Sequence, residues 1–147
     1  MASTSPNYDS KKHVEHELDA FVAALSPNLP AIGLLSDAIR QYLEDHPSYF
    51  ACTIAILDSS MRVVDSPYLY RKNGEIEQTN LAVPSYDIDS QAWLSQPIKL
   101  GKAVWTEPYF DAGGGEIWMI TRSVPLFDGT HIAAIATTDV PVEPPKS

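Results

Sequence analysis

Apolar positions in the first third of the chain repeat with the spacing of amphipathic helices. They fall three to four residues apart over 10–25 and again over 32–43. Residues 26–30 contain two prolines, which interrupt or kink the helix because proline lacks the backbone donor and clashes with the preceding turn. The second stripe stops before Pro47, since a residue that precedes proline is pushed out of helical space. We therefore predict two N-terminal helices.

The pattern then changes to that of strands, which are rich in β-branched and aromatic residues. Five strands are predicted, at 49–58, 62–70, 103–110, 116–124 and 131–140. Asp128-Gly129 and the triplet at 113–115 suit hairpin turns. Residues 71–102 look irregular, with a turn signal at Asn73-Gly74 and one short helix near 89–95. This order predicts an α+β fold in which helices cover an antiparallel sheet.

The run from Trp105 to Gly115 combines aromatic and acidic side chains within one predicted strand. Strand side chains alternate between faces, so the run predicts one shared face for Trp105, Glu107, Tyr109 and Asp111. Small-molecule pockets combine apolar walls with a few polar groups, whereas a structural strand rarely places two acids beside its aromatics. The run therefore favours a binding pocket.

Composition narrows the class of protein. The chain is 44% apolar and 20% charged, as ordinary globular proteins are, and its 147 residues fit one domain. The net charge of −9 disfavours nucleic acids and anionic membrane surfaces, which bind through Lys and Arg. A single cysteine, Cys52, excludes an intramolecular disulfide framework. We expect no cofactor and no metal, because His13 and His16 look like incidental surface residues.

Five segments carry a resemblance to a known family. In order they are 66–72, Tyr86-Asp87 with Trp93 behind it, 101–111 with the glycine triplet, 119–125 and 138–140. Together they resemble the Cache (PDC) family of PAS-like extracytoplasmic sensor domains over roughly residues 30–142. Similar domains look like the sensor halves of bacterial PPM-type serine/threonine phosphatases and histidine kinases.

The resemblance implies a PAS-like five-stranded antiparallel sheet with a long N-terminal helix on one face and a ligand pocket on the other. It implies one sensor domain at 10–142, whose helices occupy 10–46, between tails at 1–9 (disordered or added) and 143–147. It also implies a small-molecule ligand, a homodimer formed through the N-terminal helix, and an output domain in a longer parent chain. An extracytoplasmic (periplasmic) location follows by resemblance. The sequence shows no signal peptide or transmembrane segment, so a cytoplasmic location stays open.

Two acids are the strongest candidates for ligand contact by resemblance. In amino-acid-binding and amine-binding relatives, acids at the positions of Asp111 and Asp139 grip the ammonium group, and such charge-assisted bonds are about twice as strong as neutral ones. Alternatively, Asp111 caps the glycine turn and Asp139 ends a strand. The other candidates are aromatic, polar or flexible residues at motif positions: Tyr109, Trp93, Tyr86, Tyr70, Tyr68, Gln91, Thr121, Ser123 and Met119. For the tyrosines, core packing is the alternative.

One position departs from the family pattern. In amino-acid-binding relatives an arginine grips the ligand carboxylate where this chain has Gln91. A neutral amide cannot make the bidentate ion pair of an arginine. The departure favours a cationic amine or a neutral polar molecule over an α-amino acid.

Two other classes of function remain as alternatives, a small enzyme and a dimerisation module without a ligand. An enzyme would need Glu107 and Asp111 as a carboxylate pair, yet four strand residues separate their Cα atoms by about 13 Å. We therefore expect a structural role for Glu107, with Arg122 or backbone amides as its partner. A dimerisation module would leave the aromatic and acidic strand residues without a role.

Overall fold

The computed structural model describes residues 8–25 and 32–144. Two helices, α1 (Tyr8–Leu25) and α2 (Ile32–Asp45), precede the sheet, as the apolar periodicity predicts. The interruption predicted at 26–30 lies outside the described residues, as do residues 1–7 and 145–147 of the predicted tails.

Five strands of at least six residues form the sheet, and three shorter strands pair along it. In chain order the strands are β1 (Ala51–Leu57), β2 (Val63–Asp65), β3 (Pro67–Lys72), β4 (Glu75–Asn80), β5 (Val104–Trp105), β6 (Tyr109–Phe110), β7 (Trp118–Asp128) and β8 (His131–Pro141). The sheet order is β4-β3-β1-β8-β7-β5, while β2 pairs with β1 and β6 pairs with β7. Every pairing is antiparallel. The α+β fold with a large antiparallel sheet is confirmed, and five of the eight strands are long.

The prediction of an irregular segment from residue 71 onward is wrong at its start. Lys72 pairs with Glu75, so Asn73-Gly74 forms a two-residue hairpin turn, and both turn residues have positive φ angles (53° and 80°). Such turns favour Asn-Gly, because these residues tolerate left-handed backbone. The second predicted strand, 62–70, divides into β2 and β3.

The two N-terminal helices cover one face of the sheet. Their buried side chains form one apolar cluster with the inward residues of β1, β3, β7 and β8: Val14, Leu18, Leu35, Ile39, Leu43, Cys52, Ile54, Leu69, Val124 and Ala136. Each fully buried Leu or Ile contributes about 1.5–3 kcal/mol relative to an exposed one. Tyr42 of α2 also bonds the sheet, with its hydroxyl 2.7 Å from the Thr138 hydroxyl of β8.

Arg71 of β3 fastens the C-terminal end of α2 to the sheet. Its Nε donates to the Tyr49 carbonyl at 2.7 Å, and its Nη2 donates to the carbonyls of Leu43 and His46. The last carbonyls of a helix have no partner within the helix, so a cation here satisfies them and matches the helix dipole. The His46 ring in turn reaches Glu17 of α1 at 2.8 Å.

The crossover between β4 and β5 covers the opposite face. It contains two short 3-10 turns, Pro84–Tyr86 and Ile88–Ser90, and a helix, α3 (Ala92–Leu100). The helix predicted near 89–95 therefore exists but starts later. It ends at Gly101, whose left-handed backbone (φ 65°) is the usual conformation after a helix. Crossover and sheet enclose a second apolar cluster that includes Leu81, Tyr86, Trp93, Leu94 and Ile135.

Candidate functional site

The run that predicted one strand face is divided between the two faces of the sheet. β5 ends at Trp105 and β6 begins at Tyr109, with three residues between them outside the strands. Trp105 lies opposite Arg122 on the helix side, where its Nε1 donates to Glu15 of α1 at 2.8 Å. Tyr109 lies opposite Met119 on the crossover side. The prediction of one shared face is wrong, because the chain takes four steps from Trp105 to Tyr109 where β7 takes three, and one extra residue moves the following side chains to the other face.

Glu107 lies in this break and is exposed. Arg122, its predicted partner, instead lies 3.9 Å from Glu15. An exposed carboxylate is solvated by water, so Glu107 does not need the structural partner that was expected for a buried acid.

The crossover and the sheet enclose a small pocket that contains two buried carboxyl groups. Asp111 is 2% exposed and Asp139 is 3% exposed. Nine side chains line the pocket: Thr53, Tyr68, Leu81, Tyr86, Trp93, Tyr109, Asp111, Thr137 and Asp139. The space between them is about 160 Å³ and has no room for a water-sized sphere. The pocket is therefore closed in this conformation.

Asp111 accepts hydrogen bonds from the crossover and from the glycine turn. The Tyr86 hydroxyl donates to its Oδ1 at 2.6 Å, and Trp93 Nε1 donates to that hydroxyl at 2.9 Å. The Gly115 amide donates to Oδ2 at 3.0 Å, so Asp111 also caps the turn, as the alternative interpretation predicts. A Cβ on Gly114 would lie 2.1 Å from Oδ2, which explains why the turn needs glycine there. The Tyr86 hydroxyl thus connects the crossover to the sheet.

Asp139 accepts hydrogen bonds from two hydroxyl groups of the sheet. Thr121 Oγ1 donates to Oδ1 at 2.7 Å, and the Tyr68 hydroxyl donates to Oδ2 at 3.1 Å. The Tyr109 hydroxyl lies 2.7 Å from Thr121 Oγ1. When Asp139 is ionised, the Thr121 proton is used toward it, so Tyr109 is the donor in that pair. The bonds run from Tyr109 through Thr121 to Asp139.

Burial governs the protonation of this network. It raises the pKa of Asp139 to about 8, helped by the charge of Asp111 and opposed by the bonds from Thr121 and Tyr68. Burial also raises the pKa of Asp111, while the bonds from Tyr86 and Gly115 lower it. The pKa values of the pocket tyrosines rise for the same first reason, so their hydroxyls stay protonated as donors.

Of the candidates predicted from the sequence, the structure brings six into the lining and places three more beside it. Asp111, Asp139, Tyr109, Trp93, Tyr86 and Tyr68 line the pocket. Thr121 bonds Asp139 from beneath, Ser123 Oγ donates to the Trp93 carbonyl at 2.7 Å, and Met119 packs under Gly115. As predicted, Met119, Thr121 and Ser123 face one side of β7, whereas Arg122 faces the helices.

Two candidates stand apart from the lining. Tyr70 stacks on Tyr68 with ring centroids 5.3 Å apart. Gln91 immediately precedes α3, and its side-chain amide donates to the carbonyls of Tyr86 and Asp87 at 3.3 and 3.4 Å. Its amide therefore bonds the backbone of the crossover.

Sequence reasoning missed Thr53, Leu81 and Thr137 in the lining. Thr137 could have been found, because it lies two residues before Asp139 in a strand and so shares its face. Thr53 and Leu81 reach the pocket only through strand pairing and the path of the crossover, which the sequence pattern does not fix.

The charges of the site are of one sign. Among the described residues that line the pocket, none is Lys, Arg or His. Within 8–25 and 32–144, no group of three or more His, Cys, Asp or Glu side chains could hold a metal ion. The arrangement can surround a positive charge with carboxylates and tyrosine hydroxyls.

Comparison with known proteins places this arrangement in a family. Residues 35–144 match the family model of the first PDC sensor domain of methyl-accepting chemotaxis protein-like receptors. None of the curated proteins is similar enough in sequence to match.

Solved structures with the same fold include an extracellular domain named as that of a histidine kinase, with a TM-score of 0.77 at 20% identity. The match covers 89% of this chain and 53% of the kinase chain. The ligand-binding domain of the Campylobacter jejuni chemoreceptor Tlp3 with L-valine has a TM-score of 0.69 at 14% identity, covering 90% of this chain and 53% of its own. The ligand-binding domain of the Pseudomonas aeruginosa amino acid chemoreceptor PctC with GABA has a TM-score of 0.63 at 14% identity. The match covers 89% of this chain and 56% of the PctC chain. The chain thus spans about half the length of these structures.

No helix of the described residues has the length and apolar character needed to cross a membrane. The family match covers most of the chain, and the helices, sheet and crossover pocket agree with it. The chain therefore belongs to the PDC sensor domains, in the family of the first such domain of methyl-accepting chemotaxis protein-like receptors.

Proposed function

We propose that the pocket binds a small cationic amine, with its ammonium group between Asp111 and Asp139. The observation that carries this proposal is the pair of buried carboxyl groups in a lining that, over the described residues, holds no basic side chain. A buried carboxylate is costly unless it is paired, so a cation is the partner that would relieve both acids. Tyr68, Tyr86 and Tyr109 add ring faces, which attract cations.

An amino-acid ligand is less well matched. The C. jejuni and P. aeruginosa structures hold L-valine and GABA, which carry a carboxylate besides the ammonium. Here Gln91 stands in place of the family arginine, and its amide already bonds the crossover backbone. A ligand carboxylate in this pocket would face two acids without a basic partner.

A neutral polar molecule is the second candidate. The raised pKa of Asp139, about 8, keeps much of this carboxyl group protonated at pH 7. A protonated carboxyl donates a hydrogen bond and so suits a neutral ligand.

Four ligands with similar carbon chains separate these possibilities: n-butylamine, GABA, butyrate and 1-butanol. At pH 8.5 we expect n-butylamine alone to raise the melting temperature clearly. Binding only to the native state at 100 times Kd contributes about 2.7 kcal/mol, or roughly 5–10 °C for a chain of this size. Asp139→Asn and Asp111→Asn should each abolish the shift.

The matched control is Asp37→Asn, which removes one exposed acid on the helix side and should keep the full shift. A shift with 1-butanol but not n-butylamine would instead support the neutral ligand. Absence of a shift with all four compounds would contradict both.

We also infer that the domain binds its ligand without converting it. The pocket acids are held by hydroxyl groups and a backbone amide, and no Ser, Cys or His lines the pocket among the described residues. Recovery of unchanged amine after long incubation with the protein checks this inference.

The wider setting is also a proposal. The matched structures are about twice as long, and one is named as an extracellular domain. We infer one sensor domain at 10–142, on the extracytoplasmic side, with an output domain elsewhere in a longer parent chain.

We propose that the chain forms a homodimer through α1, since the exposed Ala20 and Ala24 line an apolar groove beside Phe21. A monomeric mass in sedimentation of this chain would count against the homodimer.

A further inference from the structure

A second cleft shares one lining residue with the closed pocket. It lies between α3 and the segment that joins β5 to β6, and its volume is about 460 Å³. Tyr109 alone among the described residues lines both the cleft and the inner pocket. Tyr109 therefore forms part of the wall of both spaces.

Tyr109 is suited to act as a movable wall. It belongs to a strand of only two residues and follows three residues that are outside the strands. Its hydroxyl contacts the inner network through Thr121. Segments with few backbone hydrogen bonds open at low free-energy cost, so turning this ring would connect the two spaces.

The inner pocket must widen to admit even the ammonium head of a ligand. Its 160 Å³ of space does not accept a water-sized sphere while the side chains keep these positions. A ligand whose ammonium group lies between Asp111 and Asp139 must therefore extend its remaining atoms past Tyr109. The cleft is the space that receives them.

The chemistry of the cleft indicates what those atoms are. Its wall includes Ala92, Leu100 and Val104, and Leu100 is 50% exposed. Glu107 is the one charged residue of the cleft among the described residues, and it is exposed. An apolar wall with an acid at its rim fits an aliphatic chain that ends in a positive charge.

We propose that the ligand is a linear aliphatic diamine, or a longer polyamine, whose first ammonium group lies in the inner pocket and whose second lies beside Glu107. The proposal rests on the amine-binding function proposed above and deepens it. Each methylene buried in the cleft should raise affinity about fourfold. The exposed pair with Glu107 should add only two- to fivefold, as surface ion pairs do.

The test compares n-butylamine with 1,4-diaminobutane, and then α,ω-diamines of three to eight carbons, by calorimetric titration at pH 8.5. We expect one chain length to bind best, at least twofold tighter than the alkylamine of equal length. Glu107→Gln should remove this advantage and leave the affinity for the alkylamine unchanged. Glu44→Gln is the matched control, because Glu44 is an exposed acid of α2 on the other side of the sheet.

The outcomes separate this inference from the function on which it rests. Equal affinity for alkylamine and diamine, or a diamine advantage that survives Glu107→Gln, would overturn the outer site while amine binding stands. Absence of binding by every amine would overturn both. Equal losses in Glu107→Gln and Glu44→Gln would reduce the effect to general charge and would also overturn the outer site.

Discussion

Burial and hydrogen bonding act in opposite directions on Asp139. Thr121 and Tyr68 donate hydrogen bonds that favour its carboxylate form, but burial and the nearby Asp111 raise its pKa to about 8. An unfolded aspartic acid titrates near pH 4. Between these values the folded chain binds more protons than the unfolded chain, so this residue lowers stability as pH rises from about 4 to about 8.

Asp139→Asn tests this cost at the scale of one residue. At pH 5 the wild-type carboxyl group is neutral when folded, so the variant should differ from it only through altered hydrogen bonds. At pH 9 the wild-type group is a buried charge. The difference in the free energy of unfolding between variant and wild type should therefore move in favour of the variant by a few kcal/mol from pH 5 to pH 9, since one pKa unit corresponds to about 1.4 kcal/mol. Urea unfolding at the two pH values measures both differences.

The exposed Asp37→Asn is the control and should show no change in its effect between pH 5 and pH 9. An Asp139→Asn effect that is the same at both pH values would mean that Asp139 is already ionised at pH 5. The result also bears on binding, because an amine that requires the carboxylate form should bind more tightly as pH rises toward 8.

At the scale of elements, Arg71 connects β3 to the end of α2 and to the start of the sheet. Three carbonyl groups accept its donors, those of Leu43, His46 and Tyr49. The planar guanidinium carries donors that point in several directions and can reach several acceptors at once. A lysine ammonium has its donors on a single nitrogen and cannot reproduce this geometry. This side chain therefore fixes how the helix layer meets the strands.

We expect Arg71→Ala to lower the free energy of unfolding by about 1.5–3 kcal/mol, because partly buried carbonyls lose a charged donor. The neighbouring Lys72→Ala is the matched control, since Lys72 is exposed and surface changes cost at most about 0.5 kcal/mol. Chemical denaturation of both variants measures the difference. Equal stability of the two would show that solvent satisfies these carbonyls.

The secondary-structure elements differ in how far the sequence pattern predicts them. Apolar periodicity identifies α1, α2, β7 and β8, because each buries one regular face. It does not identify β4, whose sequence is mostly polar, although Asn73-Gly74 before it is a hairpin signal. It also gives one strand where β5 and β6 are separate, since strand alternation takes no account of the extra residue between them.

The site was predictable to the extent that its residues lie in sequence motifs or share a strand face. The resemblance suggests Asp111 and Asp139 as partners, and the structure brings both into one pocket. That Trp105 turns to the helices and Tyr109 to the pocket depends on a local break. Thr53 depends on the register between β1 and β8, which is set by tertiary packing.

At the scale of the whole molecule, β8 connects the pocket to the helix layer. Adjacent residues of a strand point to opposite faces, so Asp139 enters the pocket while Thr138 faces α2. The Thr138 hydroxyl lies 2.7 Å from that of Tyr42 in a buried pair. A ligand that shifts Asp139 therefore acts on a strand that is bonded directly to a helix. A shift in population requires the ligand to bind one arrangement more tightly than the other.

We expect amine binding to slow backbone hydrogen exchange in α3 and β6 and to change exchange in α2 as well. Tyr42→Phe removes the bond to Thr138 and should abolish the change in α2 while the protection of α3 and β6 remains. Tyr49→Phe is the matched control, because its hydroxyl pairs with His13 of α1 and not with β8. Hydrogen exchange measured by mass spectrometry, with and without n-butylamine, distinguishes the variants. A change in α2 that persists in Tyr42→Phe would assign the coupling to packing across the whole sheet, because the single hydroxyl pair would then be dispensable.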